Sequence, residues 1–97
     1  MARGYWVAHV DVKDAETYQR YIDANAAAFA EYGARFLVRG GDQQVREGVA
    51  RKRTVVLEFD SYEIALACFE SAGYQNAKAI RELAATSDLV IVQGYDG

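Results

Sequence analysis

The chain has 97 residues, 52% of them hydrophobic and 26% charged, with a formal net charge of −3. That is the balance of one soluble globular domain over residues 1–97, and the negative charge argues against general nucleic-acid binding, which depends on neutralising phosphates. A single cysteine, Cys68, excludes an intramolecular disulfide and a multi-cysteine metal cluster, and no window approaches the length of a membrane span.

Tyr5 to Val12 alternates aromatic and β-branched residues with polar ones and reads as a first strand. The start Met1-Ala2-Arg3-Gly4 leads into it without the apolar block of a signal peptide, so a cytoplasmic protein is expected. Asp14 offers a helix N-cap, with Glu16 near the positive end of the dipole. Tyr18, Tyr21, Ile22, Asn25, Phe29 and Tyr32 then recur at helical spacing, and Gly33 stands where a left-handed C-cap is favoured. The tyrosines of this stripe are expected to pack the helix on the sheet with their hydroxyls at the rim.

Ala34 to Arg39 reads as strand two, interrupted by a bulge or bend at Gly40-Gly41-Asp42 before Gln44 to Glu47 continues extended. After a loop opened by Gly48, Arg53 to Asp60 forms strand three. The basic run Arg51-Lys52-Arg53, beside Arg46, reads as a solvated loop entering that strand. Ser61 can cap a second helix through Ala65 and Phe69, in which Cys68 is a small buried thiol. Ser71 can restart this helix, with a break near Gly73 and a second segment carrying Tyr74, Ala77, Ile80 and Leu83. Leu89 to Gln93 is the last strand, apolar on both sides.

The order β-α-β-β-α-β is the ferredoxin-like pattern, an α+β fold with an antiparallel sheet and both helices on one face. Strand parity then separates two surfaces. Trp6, Ala8 and Val10, Phe36 and Val38, and Val55, Leu57 and Phe59 form a core set under the helices. The opposite set holds Tyr5, Val7, His9 and Asp11, then Arg35, Leu37 and Arg39, then Thr54, Val56, Glu58 and Asp60. This second face is too apolar to lie bare in water and too charged for an ordinary core. A sheet-to-sheet homodimer enclosing a small polar cavity resolves the conflict.

Four segments carry a resemblance over essentially the whole chain. They are Gly4-Tyr5-Trp6-Val7-Ala8, Gly33-Ala34-Arg35-Phe36-Leu37-Val38-Arg39-Gly40-Gly41, Val55-Val56-Leu57-Glu58-Phe59 and Leu89-Val90-Ile91-Val92-Gln93-Gly94. Together they resemble the domain-of-unknown-function family numbered thirteen-thirty, in the dimeric α+β barrel superfamily. The resemblance implies a ferredoxin-like protomer whose sheet packs against a second copy. Its wider superfamily includes cofactor-independent monooxygenases, muconolactone-type isomerases, stress-responsive barrels and haem-binding relatives. The family has no settled activity, so no catalytic residue carries over. The chain departs from the pattern at Ala72-Gly73, where a helix-starting pair such as Pro-Glu is expected.

On the mixed face, His9 and Glu58 are expected to pair as a base and its orienting carboxylate, while Arg39 holds a ligand oxyanion and Tyr5 donates to a ligand oxygen. The competing account of the same residues is an ion-pair network that satisfies charges beneath a dimer interface. One histidine and no metal-ligand spacing give no metal site and no expected cofactor. Gly40-Gly41 lacks the strand-loop-helix setting of a phosphate loop and reads as a bend. The expectation is a homodimer that binds, and in one form turns over, a small organic acid or enolisable compound. The alternatives are a non-catalytic structural or ligand-sensing dimer and a monooxygenase-like or isomerase-like enzyme.

Overall fold

A computed structural model describes residues 2–97. The central strand, Gly4–Val12 (β1), is followed by the helix Ala15–Glu31 (α1) and the hairpin strands Arg35–Arg39 (β2) and Arg53–Phe59 (β3). Two helices, Tyr62–Glu70 (α2) and Ala72–Ala84 (α3), lead into the last strand, Ala85–Gln93 (β4). The sheet order is β2-β3-β1-β4, and every pair is antiparallel. This is the ferredoxin-like α+β arrangement expected from the sequence. The principal extents of 38 × 35 × 17 Å describe a slab of one sheet and one helix layer, which leaves the other face of the sheet uncovered.

Local chemistry explains the element ends. Asp14 caps α1 by accepting from the Thr17 N–H at 3.2 Å. At its other end Gly33 adopts φ +68°, its N–H reaching the Ala30 carbonyl while the Ala34 N–H reaches that of Phe29. Those two bonds are the paired closures of a Schellman motif, which needs the left-handed residue glycine supplies. Ser71 separates α2 from α3 with one hydroxyl: it donates to the Cys68 carbonyl at 2.7 Å and accepts from the Tyr74 N–H at 3.2 Å. The helix break therefore falls at Ser71, not at Gly73, because Ser71 has the extended backbone and the side chain that a cap requires.

Two other boundaries differ from the sequence reading. β4 begins at Ala85, four positions before Leu89, because Thr86 and Ser87 pair with Asp11 and Val10 of the central strand. Pairing with a fixed neighbour outweighs the polar character of these residues. Residues 41–52 form no strand, so the expected extension over Gln44 to Glu47 is absent. Their polar groups bond locally instead, with Gln43 donating to the Arg51 carbonyl at 2.9 Å.

The core lies between the sheet and the helices. Trp6 is 1% exposed and packs its indole against Phe29 of α1, Phe59 of β3, Phe69 of α2 and Tyr74 of α3. Its ring N–H donates to the Ala65 carbonyl at 2.9 Å, so its polar atom is satisfied inside the core. Cys68 is fully buried, and burial pushes its thiol up to about 12, the value of an inert structural cysteine.

Because Trp6 touches every helix, Trp6→Ala is expected to cost about 3–5 kcal/mol of folding stability. Urea denaturation followed by circular dichroism measures this, since the variant loses the only tryptophan. A loss under about 1 kcal/mol would show that the aromatic cluster does not organise the core.

Candidate functional site

On the uncovered face, Glu58 is the centre of an ionic cluster. It accepts from the Tyr5 hydroxyl at 2.9 Å and from Arg35 Nε at 3.0 Å, with Arg3 at 3.7 Å. Arg35 also bridges to Asp60 at 3.0 Å. The Tyr5 hydrogen bond, then that of Arg35, holds the Glu58 carboxyl below the usual carboxylate range. The same bond, with the neighbouring negative charge, raises the Tyr5 phenol.

His9 stands elsewhere on this face. Its pairing partner on β3 is Thr54, whereas Tyr5 is opposite Glu58. His9 and Glu58 are thus separated by four residues along a strand, roughly 13 Å, and the expected base–carboxylate pair does not form. His9 Nδ1 instead lies 3.1 Å from Thr54 Oγ1, and Thr54 donates to Gln43 Oε1 at 2.6 Å. The Gln43 bond to the Arg51 carbonyl fixes which amide atom is oxygen. The one hydroxyl proton of Thr54 is therefore committed to Gln43, so His9 Nδ1 is the donor in their bond.

The end of this face is closed by Arg51, which bridges Asp11 at 3.0 Å and Asp88 at 2.9 Å. Asp11 also accepts from the Lys52 N–H at 3.0 Å, and that bond, followed by Arg51, keeps its carboxyl low. Arg51 is thus an anchor for the 41–52 segment and not a freely solvated charge. An open cleft of about 380 Å³ lies among His9, Asp11, Val49, Ala50, Arg51 and Asp88. Among the described residues no three His, Cys, Asp or Glu side chains converge as a metal shell requires.

Arg39 is on the opposite side of the sheet. Arg35 pairs with Glu58 and Phe36 with Leu57, but after a bulge Val38 pairs with Val56 and Arg39 with Val55. Leu37 is the extra residue, and it inverts the parity of everything after it. Val38 accordingly moves to the uncovered face, and Arg39 moves to the helix side, where its guanidinium stacks on Phe36 at 4.0 Å from the ring centroid. The expected His9, Arg39 and Glu58 constellation is therefore not assembled within the protomer. Gly40 completes the bend at φ +72°, and a Cβ there would collide with the Arg53 guanidinium. Its bareness lets Arg53 lie against the backbone.

The inversion brings Arg39 to a cavity between α1 and the sheet, on the face opposite the ionic cluster. Its walls are Trp6, Ala8 and Val10 of β1, Tyr18, Tyr21, Ile22, Asn25 and Phe29 of α1, Phe36 of β2, and Val55, Leu57 and Leu89 of the neighbouring strands. Three guanidinium groups border it: Arg39, Arg53 and Arg81. Arg53 lies 5.6 Å from the Tyr18 ring centroid, and Arg81 lies 5.7 Å from that of Tyr21. Arg81 is only 8% exposed, Arg53 Nε is buried without a hydrogen-bond partner, and no carboxylate lines the space among the described residues. The open space measures about 440 Å³ with its mouth, of which about 30 Å³ can seat the centre of a water molecule. The walls therefore close around a volume of about two waters.

Behind the wall, Arg81 Nη1 donates to the Tyr74 hydroxyl at 2.7 Å, which lies 2.9 Å from that of Tyr21. The Tyr21 hydroxyl is thus interior, not at the rim. Sequence reasoning missed Arg53, Arg81 and the cavity role of Asn25. The available signal was a cation or amide on an apolar stripe: Arg53 shares the parity of Val55 and Leu57, and Arg81 lies one helical turn from Ala77 on the Tyr74 face.

The ionic cluster makes a pH-dependent contribution to stability. A carboxyl held low in the folded state stabilises above its unfolded value and loses that contribution as pH falls through the folded one. Glu58→Gln is expected to lower the urea midpoint at neutral pH, with the difference from wild type shrinking as the pH falls through and below the usual carboxylate range. A difference constant across that range would show that the charge of Glu58 does not support the fold.

Comparison with solved structures shows the same fold at low sequence identity. A protein of unknown function from Rhodopseudomonas palustris superposes with a TM-score of 0.79 and 15% identity, covering 99% of this chain and 85% of that one. SnoaB, a cofactor-independent oxygenase from Streptomyces nogalater, gives a TM-score of 0.64 at 14% identity, with 100% and 97% covered. A dimeric ferredoxin-like protein of unknown function from Thermobifida fusca gives 0.61 at 17%, with 95% and 89% covered. No curated protein matches the sequence. Among the described residues no helix is long and apolar enough to cross a membrane. The family description "Domain of unknown function (DUF1330)" matches residues 3–95, and the chain belongs to that family.

Proposed function

We propose that this protein is a homodimer that binds a small, partly apolar organic acid in the cavity between α1 and the sheet of each protomer. The observation that carries the binding reading is the charge of that cavity. Three arginines border an apolar space, none forms a salt bridge among the described residues, and no carboxylate lines the walls. Aromatic faces offset part of the cost of holding these cations, but a buried guanidinium such as that of Arg81 is best stabilised by an anion. A carboxylate matches the planar fork of arginine, and the aliphatic and aromatic walls match a hydrocarbon body. The narrow interior requires Arg39 and Arg53, the long side chains at the mouth, to swing outward as the ligand enters.

The homodimer reading rests on the uncovered face. Leu37, Val90 and Val92 are 54%, 59% and 43% exposed there, an apolar surface that a second sheet would cover. Its neighbours in fold include a protein described as dimeric. Tyr5, Glu58 and His9 then supply the polar part of the interface, since their hydrogen bonds are already made within one protomer. The competing account is a purely structural dimer with no ligand.

Isothermal titration with benzoate tests the binding reading. Arg53→Ala is expected to weaken benzoate binding at least tenfold, about 1.4 kcal/mol, while Glu58→Gln leaves it unchanged. Equal affinities for wild type and Arg53→Ala would remove the cavity as the binding site. A native mass spectrum tests the assembly: a dimer is expected, and a monomer at micromolar concentration would remove the sheet interface.

A further inference from the structure

Asn25 is a polar residue in an apolar position. It is 4% exposed on α1, and Tyr21, Ile22 and Phe29 of the same helix face line the cavity with it. Among the described residues its side chain makes no hydrogen bond. The fully occluded side-chain atoms without a partner are Arg35 Nη2, Arg53 Nε and Ser87 Oγ, and neither amide atom of Asn25 is among them. Both amide atoms therefore keep an open surface, and the space beside this helix face is the cavity. A buried amide costs stability unless something bonds it, and no described residue does so.

The polar groups around this space ask for different partners. A guanidinium only donates, so the arginines call for an anion. An amide donates and accepts, and its oxygen can be paired only by a donor, which a carboxylate lacks. From this difference we infer that the cavity takes a hydroxy acid, its carboxylate held by Arg39 and Arg53 at the mouth and its hydroxyl by the Asn25 amide. The spacing says where that hydroxyl belongs. Arg53 lies over the ring of Tyr18, seven positions before Asn25 on α1, which is about 10 Å along the helix. A hydroxyl next to the carboxylate falls short of the amide, whereas one across a six-membered ring reaches it. The inference deepens the proposed function and rests on the cavity being the ligand site.

The probes are 4-hydroxybenzoate and 2-hydroxybenzoate, each titrated calorimetrically against benzoate as the reference without a hydroxyl. The wild-type protein is expected to bind 4-hydroxybenzoate about fivefold more tightly than benzoate, the effect of one added hydrogen bond. The 2-hydroxy isomer is expected to gain nothing over benzoate. In Asn25→Leu, and in Asn25→Ala, which cannot clash with its surroundings, the ratio of 4-hydroxybenzoate to benzoate affinity should fall to about one. Glu58→Gln, on the other face of the sheet, should keep the wild-type ratio. Equal affinities of wild type for 4-hydroxybenzoate and benzoate would show that the amide takes water and not a ligand hydroxyl, which overturns the inference while leaving anion binding in place. A preference that survives in Asn25→Ala overturns the assignment of the hydroxyl to Asn25. So does an Asn25→Ala protein that binds neither acid, since the amide would then support the fold or the carboxylate. If neither acid binds the wild-type protein, the cavity is not a ligand site and both readings fall.

Discussion

Everything on the helix side of this protein is organised around one buried indole. Trp6 lies in the central strand, meets aromatic rings from all three helices, and gives its only polar atom to a carbonyl of α2. A ring that size cannot pack against three helices unless each approaches the sheet at a set height and rotation. The aromatic contacts are edge-to-face or tilted for the most part, the geometries that the charge distribution of such rings favours. On one side of Trp6 the packing is complete, with Phe59, Ala65 and Cys68 fully buried. On the other side, between α1 and the sheet, lies the cavity bordered by arginines.

The two faces of the sheet treat charge in different ways. On the uncovered face acids and bases are matched: Glu58 with Tyr5 and Arg35, and Arg51 with Asp11 and Asp88. On the helix face the cations have aromatic neighbours and, among the described residues, no carboxylate lines the space they border. Matched pairs need nothing further, and exposed ones contribute little to stability. Unmatched cations beside an apolar space keep an unused capacity for an anion. This contrast shifts functional interest from the face where the sequence concentrates its ionisable residues to the face where it places only cations.

Much of the architecture was legible from the sequence because it rests on periodicity and short-range capping. The alternation in Tyr5 to Val12, the stripe from Tyr18 to Tyr32, Asp14 as a cap and Gly33 as a terminator each depend on residues close in sequence, and each appears in the fold. The site was not legible in the same way. Its geometry turns on one inserted residue, Leu37, in a run where Leu37 and Val38 are both apolar and either register satisfies the pattern. The glycines that mark the bend, Gly40 and Gly41, lie just beyond the bulge, so the disturbance was expected there and the parity of Arg39 was assigned one face wrong. Register between strands likewise decided that His9 meets Thr54 and not Glu58, and no local signal states register. Arg53 and Arg81 were visible as charges in apolar stripes, but only the third dimension shows that they border the same space.

Ser71 has a consequence for how this chain can vary. Its single oxygen closes α2 at the Cys68 carbonyl and opens α3 at the Tyr74 amide, so the distance in sequence from Cys68 to Tyr74 is fixed by two bonds to one atom. One added or deleted residue between them would rotate the following helix by about 100° relative to the preceding one. Tyr74 would leave the interior, and the face carrying Arg81 would turn with it. Length changes at this junction are thus incompatible with the fold, whereas the irregular stretch between β2 and β3 can absorb them wherever Gln43 and Arg51 keep their partners. Divergence in length should accumulate in that stretch and spare the serine joint.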